Sequence, residues 1–476
     1  MKGFFPKRAT KRSCLDAEEK LDCQRTSYFR LISLAIPLVV QGFIFILALL
    51  VDRLLMAHYD LIQFAAVGIA GWTATAIFFF FHGTVNFAGN MVAQYFGANR
   101  KEFLVDPVWV ALVLAGIFSL ILIVTIPWSK QIFGIPLFNM EPSMQQYSEI
   151  YFSLLMLAHA ISLFTTAVMV FFAGIGHTVK LMVIAIVGNV VNMVFGWLLI
   201  FGHWGFPELG ITGAGLASVI SSTVSLAFAL SLFFLAGKRY PAILKPRVKW
   251  RQMGYLIKMG SPAGLEMGLE MSGFAILKLA LGSISAEAVA AAGISFSLLE
   301  FVDAPLDALA AATAIMIAQE RGALRYHNLG VIIRRALIIA IGYSLMMMII
   351  LGLYPAQLIG LFSGGDDVGS QESLLEIYRI AGVYIWLTMI WLVPNAYLTI
   401  YSRGLKALGD SRYLAVWIIL LTFTIIIGPS LWLMQQPWWW VTYAVYGVTI
   451  PYVLVLSYIL RKRYLSGVWR DLHMVD

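Results

Sequence analysis

Long apolar stretches broken by short polar connections run along the chain from about residue 31. A bilayer core takes roughly 20 apolar residues per helix. Segments that meet this lie near 31–57, 63–92, 105–127, 144–170, 178–202, 212–236, 252–283, 288–318, 331–353, 372–402, 411–434 and 439–461. The pattern predicts twelve transmembrane helices, with bends expected at Pro305 and Pro394.

Lys and Arg divide unevenly between the two sides. With an even helix count both termini share a side, and its tails, connections and flanking helix ends hold 28 of the 33 Lys and Arg. Lys130 alone falls on the other side, and Arg53, Lys258, Lys278 and Arg379 lie inside proposed helices. Positive residues mark the cytoplasmic side. Both termini are therefore expected in the cytoplasm of a multi-pass cell-membrane protein (the inner membrane, if the source is a Gram-negative bacterium).

Composition agrees. The chain is 60% hydrophobic and 12% charged, with a mean hydropathy of +0.84, against about 45–50% and 25% in soluble domains. The net charge of +8 then reads as topology, not as nucleic-acid binding. The polar, basic start argues against a secretory signal peptide. Cys14 and Cys23 are expected to be reduced thiols in the tail, with no disulfide framework or metal cluster implied.

The chain also repeats itself. Pro37, AAVGI ending at Ile69, and AQYFGA around Gln94 and Gly97 recur at one constant offset as Pro262, AAAGI ending at Ile294, and AQERGA around Gln319 and Gly322. Later, AGIGHT (173–178) corresponds to KALGDS (406–411). The expected fold is an all-α polytopic membrane protein of two six-helix bundles, 31–236 and 252–461. A basic cytoplasmic linker, 237–251, joins them, and 1–30 and 462–476 are cytoplasmic tails. Both bundles enter from the same side, so the pseudo-two-fold axis should run along the membrane normal with the substrate path between bundles.

Ionisable residues inside membrane helices cost roughly 2.5–3.5 kcal/mol on insertion scales and so usually have a task. In the stretch GLEMGLEM (264–271), Glu266 and Glu270 lie one helical turn apart on one face. Two close carboxylates do not both ionise cheaply in a low dielectric. The pair can carry a proton or bind a cation in its place; alternatively Glu266, near the cytoplasmic end, snorkels into water. Glu300, Asp303 and Asp307 share a face at i, i+3, i+7. They line a water-filled cavity for cations, or one of them pairs structurally with Lys278.

In the first bundle His82, Asn86 and Asn90 follow i, i+4, i+8, and the repeat sets His82 opposite Asp307. His82 joins a proton relay, or all three make interhelical hydrogen bonds worth about 0.6–2 kcal/mol. Asp52 has Arg53 beside it, pointing away along the helix. Trp438-Trp439-Trp440 reads as an interfacial belt on the outer face. The many Met and Phe residues line a promiscuous pocket or simply pack and face lipid. There is no GxxxxGK[ST] loop for ATP, no Cys/His metal spacing and no nucleophile elbow.

Several stretches resemble the multidrug and toxic compound extrusion (MATE) transporters over about residues 30–460. They are AIPLVVQGFIFILALLVDRLLMA (35–57), FAAVGIAG (64–71), MVAQYFGANR (91–100), GNVVNMVFGWLLIFG (188–202) and LGITGAGLAS (209–218). The resemblance implies an exporter of amphiphilic, usually cationic, organic molecules, run by inward protons or sodium ions through rocker-switch alternating access. It carries the family's first-helix aspartate onto Asp52, its seventh-helix glutamate onto Glu270 ahead of Phe274, and its fifth-helix asparagine onto Asn192. Two positions depart: Asn395 stands where the family has a tenth-helix aspartate, and Gly196 where a fifth-helix aspartate is often found.

The expected function is therefore secondary active antiport. Glu270 binds the coupling ion and the cationic substrate in exchange, helped by Glu266 and the 300–307 stripe. Sodium, if it is the ion, sits at Glu270 and Asn395, and Glu266 supplies charge that Asn395 lacks. No cofactor, no nucleic acid and a monomer in the bilayer are expected. Alternatives are a flippase for a lipid-linked saccharide precursor, which should show an arginine-lined cavity, a membrane-embedded enzyme, or a sensor.

Overall fold

The computed structural model describes residues 24–134, 141–362, 371–437 and 439–472; Cys14, Cys23 and Trp438 lie outside them. These residues contain twelve helices long and apolar enough to cross a membrane. They are α1 (Tyr28–Tyr59), α2 (Ile62–Gly97), α3 (Asp106–Phe133), α4 (Pro142–Gly174), α5 (Thr178–Phe201) and α6 (Ile211–Ala236), then α7 (Trp250–Ile284), α8 (Ala286–Gly322), α9 (Tyr326–Leu353), α10 (Leu375–Ala407), α11 (Ser411–Leu433) and α12 (Val441–Ser466). Each falls on one of the apolar segments. No strand occurs among the described residues, as expected where lipid offers no partner to an open backbone.

Local chemistry sets the helix ends. The Ser27, Asp60 and Ser285 side chains accept from the backbone N–H of Arg30, Gln63 and Ala288, capping α1, α2 and α8. Pro37, Pro262, Pro305 and Pro394 all lie within helices. Several helices outrun their apolar segments, among them α2 to Gly97, α8 to Gly322 and α10 to Ala407. Their extra turns carry Gln94, Gln319, Arg403 and Lys406, polar groups that hydropathy excludes but that find partners inside the protein.

In the first bundle α4 packs on α2, α3 and α6, burying Phe152, Leu163, Phe171 and Phe172 completely. In the second, α10 packs on α8, α9 and α12. The bundles meet where α1 lies along α8 and α2 along α7. The α2–α7 crossing explains the glycines of GLEMGLEM: a Cβ on Gly264 would collide with the Phe80 carbonyl, so only glycine lets the helices approach this closely.

Both described chain ends lie on one face, called here the terminal face. Arg321 donates to the Trp469 carbonyl at 2.9 Å, and Arg335 donates to Thr26 Oγ1 at 3.0 Å. On this face the two repeat motifs cross. Gln94 Nε2 donates to the Ala407 carbonyl at 3.0 Å, and Gln319 Nε2 donates to the Gly174 carbonyl at 2.8 Å. A Cβ on Gly97 would strike the Gln319 carbonyl, and one on Gly322 the Gln94 carbonyl. The contacts are related by the pseudo-two-fold and latch the bundles together. Arg30 adds a bond to Gln319 Oε1 at 2.7 Å.

Candidate functional site

One face of α10 organises the second bundle's acids. Asn395, Thr399, Ser402, Arg403 and Lys406 recur at helical spacing toward α7 and α8. Asn395 Nδ2 donates to Asp303 Oδ1 at 2.7 Å. Arg403 pairs with Asp307 at 3.3 Å. Lys406 pairs with Glu266 Oε1 at 2.8 Å, and the Ser402 hydroxyl donates to the same oxygen at 3.3 Å. Three of the four central acids are thereby matched. Glu270 has no hydrogen-bond or ion-pair partner among the described residues.

Glu270 borders a cavity of about 40 Å³ between α7, α10, α11 and α12, walled also by Trp391, Asn395, Thr422, Thr449 and Tyr452. That is room for a cation and one or two waters. Thr422 opens a π-helical segment, Thr422–Ile427, in the middle of α11; such irregular turns recur at functional sites. One carboxylate, one amide and three hydroxyls make an oxygen-rich set suited to a hard monovalent cation. A cluster of three or more His, Cys, Asp or Glu able to hold a metal ion is absent among the described residues.

The expected acidic stripe on α8 divides. Asp303 turns to Asn395 and Asp307 to Arg403, while Glu300 makes no ion pair among the described residues. Lys278 makes no direct ion pair with any of the three among the described residues, although Glu300 lies within its field. Its ammonium lies over the Trp72 ring at 4.2 Å and near Phe296 at 5.2 Å, so it bridges α7 to α2 through a cation–π contact. Glu266 does not snorkel either: it is 5% exposed. It is neutralised by Lys406 and does not stand against Asn395, where Asp303 takes that place.

In the first bundle Asp52 and Asn192 meet. With the Asn192 amide turned so that its nitrogen faces Asp52, it donates to both carboxylate oxygens, at 3.1 and 3.2 Å. His82 shares a hydrogen bond with Thr166 Oγ1 at 3.2 Å and lies within the field of Arg403, the residue that pairs with Asp307. Asn86 and Asn90 make no side-chain hydrogen bond among the described residues. His159, which periodicity did not single out, stacks on Phe78 at 4.4 Å, beside His82. Arg403 and Lys406 were also missed as site residues, because their charge reads as the positive end of α10. Their spacing opposite the acids of α7 and α8 was the signal available. Trp439 and Trp440 are both exposed, at 81% and 41%.

Comparison with known proteins adds an independent line. A family model described as MatE matches residues 37–198 and 262–430, two stretches whose starts are the repeat's own Pro37 and Pro262. Multidrug resistance protein NorM of Photobacterium profundum is 24% identical over 424 residues, spanning 85% of this chain and 89% of that protein. The probable multidrug resistance protein NorM of Pseudomonas putida is 26% identical over 425 residues, spanning 85% and 86%. Among solved structures, a mutant of the Vibrio cholerae MATE transporter VcmN superposes with a TM-score of 0.81 at 18% identity, covering 95% of this chain and 99% of that one. A MOP superfamily transporter from Pyrococcus furiosus superposes with a TM-score of 0.80 at 18% identity, covering 93% and 96%. At such identity the superpositions speak for the fold.

Proposed function

Because the chain belongs to the multidrug and toxic compound extrusion (MATE) family, we propose that it exports amphiphilic cationic organic compounds in exchange for protons or sodium ions. It is a transporter and not an enzyme. In this reading it lies in the cell membrane as a monomer, and the latched terminal face, with both termini, is cytoplasmic. Alternating access then proceeds by a rocker switch of the two bundles about their α1–α8 and α2–α7 contacts.

One observation carries the coupling step: Glu270 is the central acid without a partner among the described residues, and it borders a small cavity that also holds the amide of Asn395 and the hydroxyls of Thr422, Thr449 and Tyr452. An unpaired carboxylate inside a membrane protein is costly, so a proton or cation is favoured there. The substrate's cationic group reaches the half-exposed Asp307, at 53% side-chain exposure, and Glu270 from the space between the bundles. Sharing the Glu270 charge makes the two ligands mutually exclusive. A ligand that stabilises only one of two conformations shifts them by its differential affinity, and that is what couples the fluxes.

Asp52, with Asn192, is a second ionisable site in this mechanism, and His82 links the bundles through Arg403. The flippase reading is the weaker one. Arg403 and Lys406, the basic groups on the site face of α10, are each paired with an acid, which leaves that face little free positive charge for an anionic headgroup.

The experiment is reconstitution into liposomes, with efflux of a cationic dye followed under a proton gradient and a sodium gradient separately. Glu270→Gln should abolish efflux under whichever gradient drives the wild type. Intact efflux of that variant under both gradients would refute the mechanism.

A further inference from the structure

We propose that Lys406 ties occupancy of the acidic site to the latch on the terminal face; the proposal rests on the antiport reading above. Three observations meet at the last turn of α10. The Lys406 ammonium sits on Glu266 Oε1 at 2.8 Å, with the two side chains only 14% and 7% exposed. The second oxygen, Glu266 Oε2, is buried without a hydrogen-bond partner. The carbonyl of the very next residue, Ala407, accepts from Gln94 of the other bundle at 3.0 Å.

A buried ion pair contributes little net stability, because desolvation offsets most of its attraction. Removing one partner is nevertheless strongly destabilising, because the other is left charged and dry. A proton passed to Glu266, or a cation at Glu270 that draws in the Glu266 carboxylate one helical turn away, cancels the charge that Lys406 faces. The ammonium must then find water. Its stem springs from the last turn of α10, so it gets there by swinging toward the terminal face. That movement carries the Ala407 carbonyl off Gln94. Loading the site therefore loosens the latch, which is the direction an antiporter needs when an ion taken up on the far side must open the near one.

The repeat supplies an internal comparison. The other arm of the latch, Gln319 to Gly174, has the same geometry, but Ala173 stands at the position of Lys406. Gln41, the counterpart of Glu266 in the first half, is neutral, though its Oε1 is likewise buried without a partner. The Gln319 arm is tied to the cation of Arg30 instead, so among the described residues the α10 arm is the one set beside the acids of the central site.

The other charged or titratable groups acting on Glu266 are Glu270 of α7, Arg403 of α10 and Tyr452 of α12. Asp307 of α8 is tied to Arg403. From α2 the nearest groups on this part of α7 are Phe80 and Thr84, and from α11 the cavity wall is Thr422 and Ile426, none of them charged. Among the described residues Lys406 forms its ion pair with Glu266 and also lies in the field of Glu270, so loading this pair of carboxylates is what frees it.

The test reads the latch directly. In full-length protein with Cys14→Ser and Cys23→Ser, spin labels go on Lys101→Cys and Arg334→Cys, exposed positions in the connection after α2 and the first turns of α9. Distances are measured in nanodiscs at alkaline pH without sodium, then at acidic pH or with sodium. The parent should lengthen on loading. Lys406→Met should lose more than half of that ion-dependent shift, and Lys406→Arg should keep it. Glu266→Gln, with the charge removed covalently, should already show the longer distance unloaded; it serves if Lys406→Met fails to fold. A full ion-dependent shift in Lys406→Met, or a short unloaded distance in Glu266→Gln, overturns the relay alone. A parent that shifts with neither proton nor sodium overturns the antiport reading, and the relay with it.

Discussion

Asn395 meets Asp303 across the α8–α10 interface, its amide nitrogen 2.7 Å from the carboxylate. Family resemblance leads one to expect an aspartate at 395. An aspartate there would face Asp303 at hydrogen-bonding distance; in this chain the carboxylate of the pair stands on α8 and the amide on α10. Asn395 therefore donates to the acid instead of repelling it.

Asn395→Asp should therefore harm the protein despite restoring the family's residue. It replaces a charge-assisted hydrogen bond by two facing carboxylates, a loss of about 1–3 kcal/mol. Asp303→Asn combined with Asn395→Asp should recover most of it, with the charge carried on the other helix. Thermal unfolding in detergent, together with dye efflux, distinguishes the outcomes. If the double variant is the sum of the singles, the pairing is wrong.

The cavity beside Glu270 separates the two coupling ions. A proton needs only the carboxylate, whereas a sodium ion needs several oxygens around it. Tyr452→Phe removes one hydroxyl from the wall, so it should raise the sodium concentration for half-maximal efflux several-fold. Proton-driven efflux should change far less. Equal loss under both gradients would mean that Tyr452 serves the fold and not the ion.

Hydropathy made the fold legible because each span satisfies its own backbone and needs no distant partner to be recognised. The constant offset between the halves exposed the repeat because the latch needs Gln and Gly at equivalent places in both. Pairing was harder to read. Glu266 and Lys406 stand on helices far apart in the chain, α7 and α10, and nothing local says that a lysine at a helix end turns inward. Lys278 misled for the same reason: its partners are the faces of Trp72 and Phe296, which carry no formal charge to match. The π-helical segment at 422–427 runs into Gly428-Pro429, and hydropathy does not register it.

A pH effect outside the spans follows from His177, in the turn after Gly174. Burial holds its imidazole below the ordinary histidine range, and Lys180 and Arg239 add to this. A lowered folded value means that the native state resists protonation more than the unfolded chain does. The stability His177 contributes is complete above about pH 6.5, the unfolded value, and is lost as pH falls below it. His177→Gln should flatten part of the acid-side decline in melting temperature. A decline of unchanged depth would remove His177 from the account.

The latch itself predicts symmetric damage. Gly97 lies against the Gln319 carbonyl and Gly322 against the Gln94 carbonyl, in both cases with no space for a Cβ. Alanine at either position must push the terminal ends of α2 and α8 apart, because backbone cannot yield as a flexible side chain does. Gly97→Ala and Gly322→Ala should each lengthen the spin-label distance between positions 101 and 334 without added ion. They should also slow efflux several-fold by weakening the state closed at this face. The pseudo-two-fold requires the two effects to be alike. Gln94→Ala should act in the same direction but less, since it removes one hydrogen bond and creates no collision. If Gly97→Ala opened the face while Gly322→Ala left it shut, the two arms would not share the closing load, and a one-sided gate would replace the symmetric latch.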